Sequence, residues 1–182
     1  MNMPWLDHYG PAVPKHVEVP DLLLGDLLPA AAAKYPERTA LTLTLAAAGR
    51  LFQTSLSYRR LRRDVDRFGA SLQRLGVRPG DRVALFLPNC PQFVIAYLAA
   101  VRVGAIVVPF NPLYSAREAE YQLKDCGATT VVVLDRFFPL IQQVRGSTAL
   151  RRVVVTRLKE YFPPLLWTLF TLTHERKMAK VR

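Results

Sequence analysis

The chain has 182 residues, 51% of them hydrophobic, and 25 Lys and Arg against 14 Asp and Glu give a formal charge of +11. That length suits one domain with a core of its own, and the apolar content excludes general disorder. The two cysteines, Cys90 and Cys126, make neither a metal-ligand spacing nor a Cys-x-x-Cys pair and read as ordinary buried thiols.

Residues 1–20 carry four prolines and little helical patterning, so an extended arm is expected there. From Leu22 to Tyr35, Leu23, Leu24, Leu27, Leu28 and Ala31 recur at helical spacing, and Tyr35-Pro36 ends the helix. Thr39 to Ala46 alternates threonine and leucine as a half-buried strand; Gly49-Arg50 turns the chain into a second strand, Leu51 to Leu56, completing a hairpin. Ser57 can cap the next helix, whose apolar stripe is Leu61, Val65, Phe68, Leu72 and Leu75. Arg59, Arg60, Arg62, Arg63, Arg67 and Arg74 take its other faces, and Gly76 ends it. Arg78-Pro79-Gly80-Asp81 has the proline and glycine placement of a type II turn.

Arg82 to Leu87 is a continuous apolar run, the pattern of a strand covered on both faces. Pro91 can start a helix, and Phe93 to Val101 is apolar all round, so that helix is expected to be buried. Ala105 to Val108 reads as a further buried strand. Ser115-Ala116-Arg117-Glu118 is a capping box, opening a helix with Ala119, Leu123 and Cys126 on one side before Gly127. Thr130 to Leu134 and Arg152 to Val155 are strands, with a helix over Phe137 to Val144 between them. Alternating strands and helices with short turns predict an α/β fold: a partial doubly wound, mainly parallel sheet preceded by the arm, the helix and the hairpin. The 19 uncharged residues from Val83 to Val101 are long enough to span a bilayer, but Pro88-Asn89-Cys90-Pro91 interrupts them, so a strand, a turn and a helix fit better.

The expected organisation is an arm over 1–20, an α/β unit over 21–157, and an apolar and basic tail over 158–182, expected to be helical. In that tail, Tyr161 to Thr173 is an uncharged aromatic stretch followed by His174, Arg176, Lys177, Lys180 and Arg182. It fits either a helix packed on another part of a larger protein or one lying in a lipid interface. Arg59 to Arg82 holds eight arginines against three aspartates, and Arg145 onward nine basic residues against two acidic ones. Such fields favour anionic partners, unless they are solvated faces that an acidic surface would cover.

Chemistry is hard to find. The nine glycines form no G-x-G-x-x-G, and no Gly-Lys pair exists for a phosphate loop. His8, His16 and His174 sit in the arm and the tail, and there is no G-x-S-x-G or His-Glu-x-x-His. Asp64 and Asp66 point apart on one helix and cannot share a proton. No catalytic, cofactor-binding or metal-binding residue is therefore assigned. Nucleic acid is not an expected partner, because the arginine helix lacks interleaved aromatics and any recognisable module.

Taken in order, Pro4-Trp5-Leu6, the run Ala31 to Leu41, Gly80 to Asn89, and Gly104 to Leu113 resemble the N-terminal subdomain of long-chain fatty-acid–CoA ligases, of the AMP-forming, adenylate-forming family. Leu158-Lys159-Glu160-Tyr161 and the apolar stretch after it resemble the insertion many of these carry before their phosphate loop. The resemblance implies a parent reaction using ATP, magnesium, a fatty acid and CoA. It also implies that phosphate loop, magnesium-associated glutamate, ribose-binding aspartate and mobile lysine match nothing here. The chain is expected to be an N-terminal piece of such a ligase, inert by itself and binding no cofactor alone. Asn111-Pro112, just past a strand's carboxyl end, is given at most a supporting role beside that of a plain turn. The cytosol is the expected compartment, or the inner face of a membrane if 161–182 touches lipid, and exposed apolar surface should drive self-association. The rival expectation is a non-catalytic module that binds a partner protein or an anionic membrane through the arginine helix and the tail.

Overall fold

The computed structural model describes residues 3–19, 21–47, 50–163 and 167–168. Its centre is a parallel sheet of β3 (Arg82–Phe86), β4 (Ile106–Pro109), β5 (Thr130–Leu134) and β6 (Arg152–Thr156), in the order β4-β3-β5-β6. Between them run α3 (Pro91–Arg102), α4 (Ala116–Cys126) and α5 (Phe138–Arg145); ahead of them come α1 (Leu24–Lys34), the strands β1 (Thr39–Ala47) and β2 (Arg50–Ser57), and α2 (Tyr58–Arg74). The described part of the arm departs from the expected extended form in a 3-10 helix over Pro4–His8 with no buried residue, and in a turn where the Val13 amide donates to the Gly10 carbonyl at 2.9 Å.

The sheet divides two cores. On one face Leu61, Val65 and Leu72 of α2 and Ile95, Ala96, Ala99 and Ala100 of α3 pack against Val83, Leu85 and Val132. On the other, Ala119 and Leu123 of α4 and Ile141 and Val144 of α5 cover Ala84, Phe86, Val131 and Val133. Alternate side chains of β3 and β5 feed both cores, which is why the two strands read as unbroken apolar runs. This is the doubly wound arrangement expected, with the antiparallel hairpin β1–β2 beside it. The hairpin turn at Gly49 lies outside the described residues, as does most of the tail.

Several expectations are corrected. The Leu23, Leu24 and Leu27 side of α1 faces solvent, and the helix buries Leu28 and Ala32 instead. In α2, Phe68 is half-buried and Leu75 exposed, because the inward stripe passes through Gly69. A Cβ at Gly69 would sit 3.4 Å from Val103 Cγ1 and 3.7 Å from the Ala99 carbonyl oxygen. Glycine there lowers helix propensity but lets α2 and α3 approach closely. The expected buried strand at 105–108 is an edge strand, with Ile106 53% exposed, since among the described residues only β3 flanks β4. Cys90 is buried, whereas Cys126 is only half-buried.

Candidate functional site

In an open parallel sheet, ligands bind outside the carboxyl ends of the strands, where the connections leave in opposite directions. Here β3 leads through α3 to β4 on one side, and β5 leads through α5 to β6 on the other, so the switch point lies between β3 and β5. The segments 87–90 and 134–137 form its rim. Phe86 anchors the rim from below, with its ring centroid 5.4 Å from that of Phe137 and 5.9 Å from that of Phe110. The Arg136 guanidinium lies 4.9 Å from the Phe137 ring centre, and Asp135 Oδ1 accepts a hydrogen bond from the Arg136 amide at 2.8 Å.

A cavity of about 210 Å³ lies between the α2–α3 layer and the ends of β5 and β6, while the rim residues Asn89 and Cys90 line a separate space with Leu41, Phe93 and Val94. Phe68, Ile95, Val132 and Val154 make the apolar wall of the first cavity, and Gln92, Thr156, Glu160 and Tyr161 are its polar features. Pro91 occupies the first helical position of α3, where its missing N–H costs nothing, and this sets Gln92 at the start of a buried helix. Gln92 Nε2 donates to the Arg157 carbonyl at 2.8 Å and ties α3 to the segment after β6. Its Oε1 is buried without a hydrogen-bond partner among the described residues. Glu160 accepts from Thr156 Oγ1 at 3.0 Å and from the Arg157 amide at 3.2 Å. Burial, and next the Asp64 carboxylate, push the Tyr161 phenol up to about 12, so it stays protonated at neutral pH. Burial likewise raises the Cys90 thiol, against opposing hydrogen bonds from the Phe93 and Gln92 amides, which disfavours the thiolate a nucleophile needs.

Anion cradles require converging backbone N–H groups, which residues with positive φ supply most readily. The positive-φ glycines of the described residues are Gly76, Gly80, Gly104 and Gly127, each just ahead of β3, β4 or β5 and so at the amino edge. Two of these turns are joined, the Gly80 amide donating to the Gly104 carbonyl at 2.8 Å. Neighbouring strand-end arginines fill the others. Arg82 donates to the carbonyls of Cys126 and Gly127 at 3.0 and 3.2 Å, and Arg152 to that of Gly76 at 3.1 Å. No group of three or more His, Cys, Asp and Glu among the described residues could hold a metal ion. Among the described residues, these glycine turns leave no open cradle that fits a nucleotide phosphate.

The residues weighed from the sequence are scattered. His8 and His16 are exposed in the arm, and His174 lies outside the described residues. Asp64 and Asp66 form ion pairs with arginines, Asp64 with Arg60 and Arg63, Asp66 with Arg62 and Arg102. Asn111 Oδ1 accepts from the Leu113 amide at 3.0 Å, the contact of a local turn. Sequence reasoning missed Gln92 and Tyr161. The one available signal was Gln92 itself, an amide within an otherwise apolar run.

Comparison with known proteins adds a second line of observation. Residues 28–177 match the model of the family described as AMP-binding enzyme. The chain is 34% identical over 175 residues to a long-chain-fatty-acid–CoA ligase of Bacillus subtilis (strain 168), covering 96% of this chain and 30% of that protein. It is 35% identical over 161 residues to the protein of the same name from Escherichia coli O6:H1, covering 87% of this chain and 27% of that one. Among solved structures it resembles a long-chain-fatty-acid-CoA ligase from Archaeoglobus fulgidus with a TM-score of 0.69 and 30% identity, over 80% of this chain and 30% of that one. The chain thus spans under a third of the length of these relatives.

Proposed function

Because this chain belongs to the AMP-binding enzyme family, we propose that it serves as the N-terminal portion of a long-chain fatty-acid–CoA ligase. The observation that carries the reading is identity of 34% sustained over nearly the whole chain, against a relative named for that activity. In the proposed parent reaction a fatty-acid carboxylate attacks the α-phosphate of ATP, giving acyl-adenylate and pyrophosphate, and the CoA thiol then displaces AMP. ATP, magnesium, CoA and the acid are the parent's substrates and ion. The chain's own contribution is the frame: an amino edge held by glycine turns and a carboxyl rim open for the reacting groups.

We assign no catalytic, cofactor-binding or metal-binding residue to this chain, and Asn111-Pro112 a turn. The proposed units are the arm over 1–20, the α/β unit over 21–157 and the tail over 158–182. No helix of the described residues is long and apolar enough to cross a membrane. A cytoplasmic location, peripheral lipid contact through 161–182 and self-association through exposed apolar surface complete the proposal.

A chimera tests it. Replacing the matching segment of the Bacillus subtilis relative with this chain should preserve palmitoyl-CoA formation from ATP, magnesium, palmitate and CoA. The chain alone, under the same conditions, should release no AMP. A folded but inactive chimera, or turnover by the isolated chain, would overturn the reading.

A further inference from the structure

We propose that the face built by α1 and the first half of α2 docks on a bilayer containing anionic phospholipid. Two observations meet there. The first is a row of leucines that the fold leaves outside: Leu22, Leu23, Leu24 and Leu27 are 62%, 75%, 47% and 51% exposed. They are outside because Gly25 turns the helix's backbone toward α3, with a Cβ position 3.6 Å from the Arg102 Cα, while Leu28 and Ala32 enter the core. Leu23, Leu27, Ala30 and Lys34 follow one another by four, three and four residues, a single outward stripe ending in a cation.

The second is the cleft into which α1 runs. It holds about 600 Å³ and is lined by Ala32, Ala33 and Pro36 on one wall and by Arg59, Arg62, Arg63 and Arg67, with Asp66 among them, on the other. Five arginines, Arg59, Arg60, Arg62, Arg63 and Arg102, share three carboxylates, Glu37, Asp64 and Asp66. Arg67 has no carboxylate partner among the described residues. The Arg59–Glu37 pair is solvent-exposed, with both side chains about 70% exposed, and such an exposed pair is readily exchanged for a phosphate. Lys34 and Arg38 add two cations, lying 5.2 and 4.9 Å from the Tyr35 ring centre.

A leucine row at the start of α1 and an arginine cleft at its other end match a lipid interface, where acyl chains and phosphates are offered side by side. A soluble anion would use the cleft and leave the leucines in water. An acidic protein would meet the same charge but gain from fewer exposed leucines. Asp21 and Asp26 border the leucine row, so the helix is expected to sit at headgroup depth.

The test uses the whole chain and vesicles of phosphatidylcholine, with or without phosphatidylglycerol as about a third of the lipid. Co-sedimentation with the anionic vesicles alone, weakening as salt rises, is expected. Arg62→Gln, Arg63→Gln and Arg67→Gln combined should weaken binding about a hundredfold, at roughly fivefold per charge. Leu23→Ser with Leu27→Ser should weaken it while leaving the salt dependence intact. All five positions lie on exposed or half-exposed surface, and an unchanged thermal midpoint checks the fold. Absence of binding at low salt overturns the proposal. So does undiminished binding by the arginine variant, which would move the contact to 161–182, or displacement by millimolar inorganic phosphate, which would make the cleft a soluble-anion site.

Discussion

Arg82 shows how much of the basic excess is structural. Its guanidinium closes the end of α4 by donating to two carbonyls the helix leaves unpaired, and Arg152 does the same for the end of α2. Arg82→Met keeps much of the apolar stem but orphans the Cys126 and Gly127 carbonyls. It should lower stability by about 1.5–3 kcal/mol, read as a shift in urea midpoint at constant slope. Neither arginine could be singled out from the sequence. Each opens an apolar strand, and its partner lies 44 to 76 residues away, a distance that periodicity cannot bridge. Gly76 and Gly127, by contrast, were legible as helix stops because the requirement for positive φ is local.

At the level of elements, legibility followed how local the cause was. The capping box of α4 is written in four consecutive residues and forms as read: the Ser115 amide donates to Glu118 Oε2 at 2.8 Å, and Ser115 Oγ accepts from the Glu118 amide at 3.4 Å. Ser115→Ala should cost about 1 kcal/mol. Hydrogen bonds from the Ser115 hydroxyl and then its amide hold Glu118 below its ordinary value. With the folded value depressed, the stabilisation is present above the unfolded carboxylate range and is lost as pH falls through the folded one. The gap between wild type and Ser115→Ala in thermal unfolding should therefore narrow on acidification, and a constant gap would count against the coupling. α1 was the opposite case. Its spacing announced a helix, but an apolar helix offers leucines on more than one side, and only its packing against α2 and α3 decides which side is inward. The carboxyl-edge cavity was also illegible, since Gln92, Val132 and Tyr161 are brought together by sheet order.

For the molecule as a whole, β4 and β6 each have a strand on one side only among the described residues. Ile106 and Val155 on these strands are 53% and 43% exposed. Unpaired edges bearing apolar side chains invite pairing with another chain. The isolated chain is expected to show a weight-average mass that rises with concentration in sedimentation velocity, and Val155→Lys should reduce that rise. A single monomeric species at all concentrations would contradict it.

The four left-handed glycines of the described residues also divide the molecule into an intolerant end and a permissive one. A Cβ at Gly104 would lie 3.0 Å from Pro79 Cβ, and one at Gly127 3.0 Å from Arg82 Nη2, so replacements there meet both steric and torsional penalties. The opposite rim, around 110–114 and 135–137, carries no such torsional demand among the described glycines. Side-chain replacements are therefore expected to cost less at that rim than at the base, where backbone torsion and close packing act together.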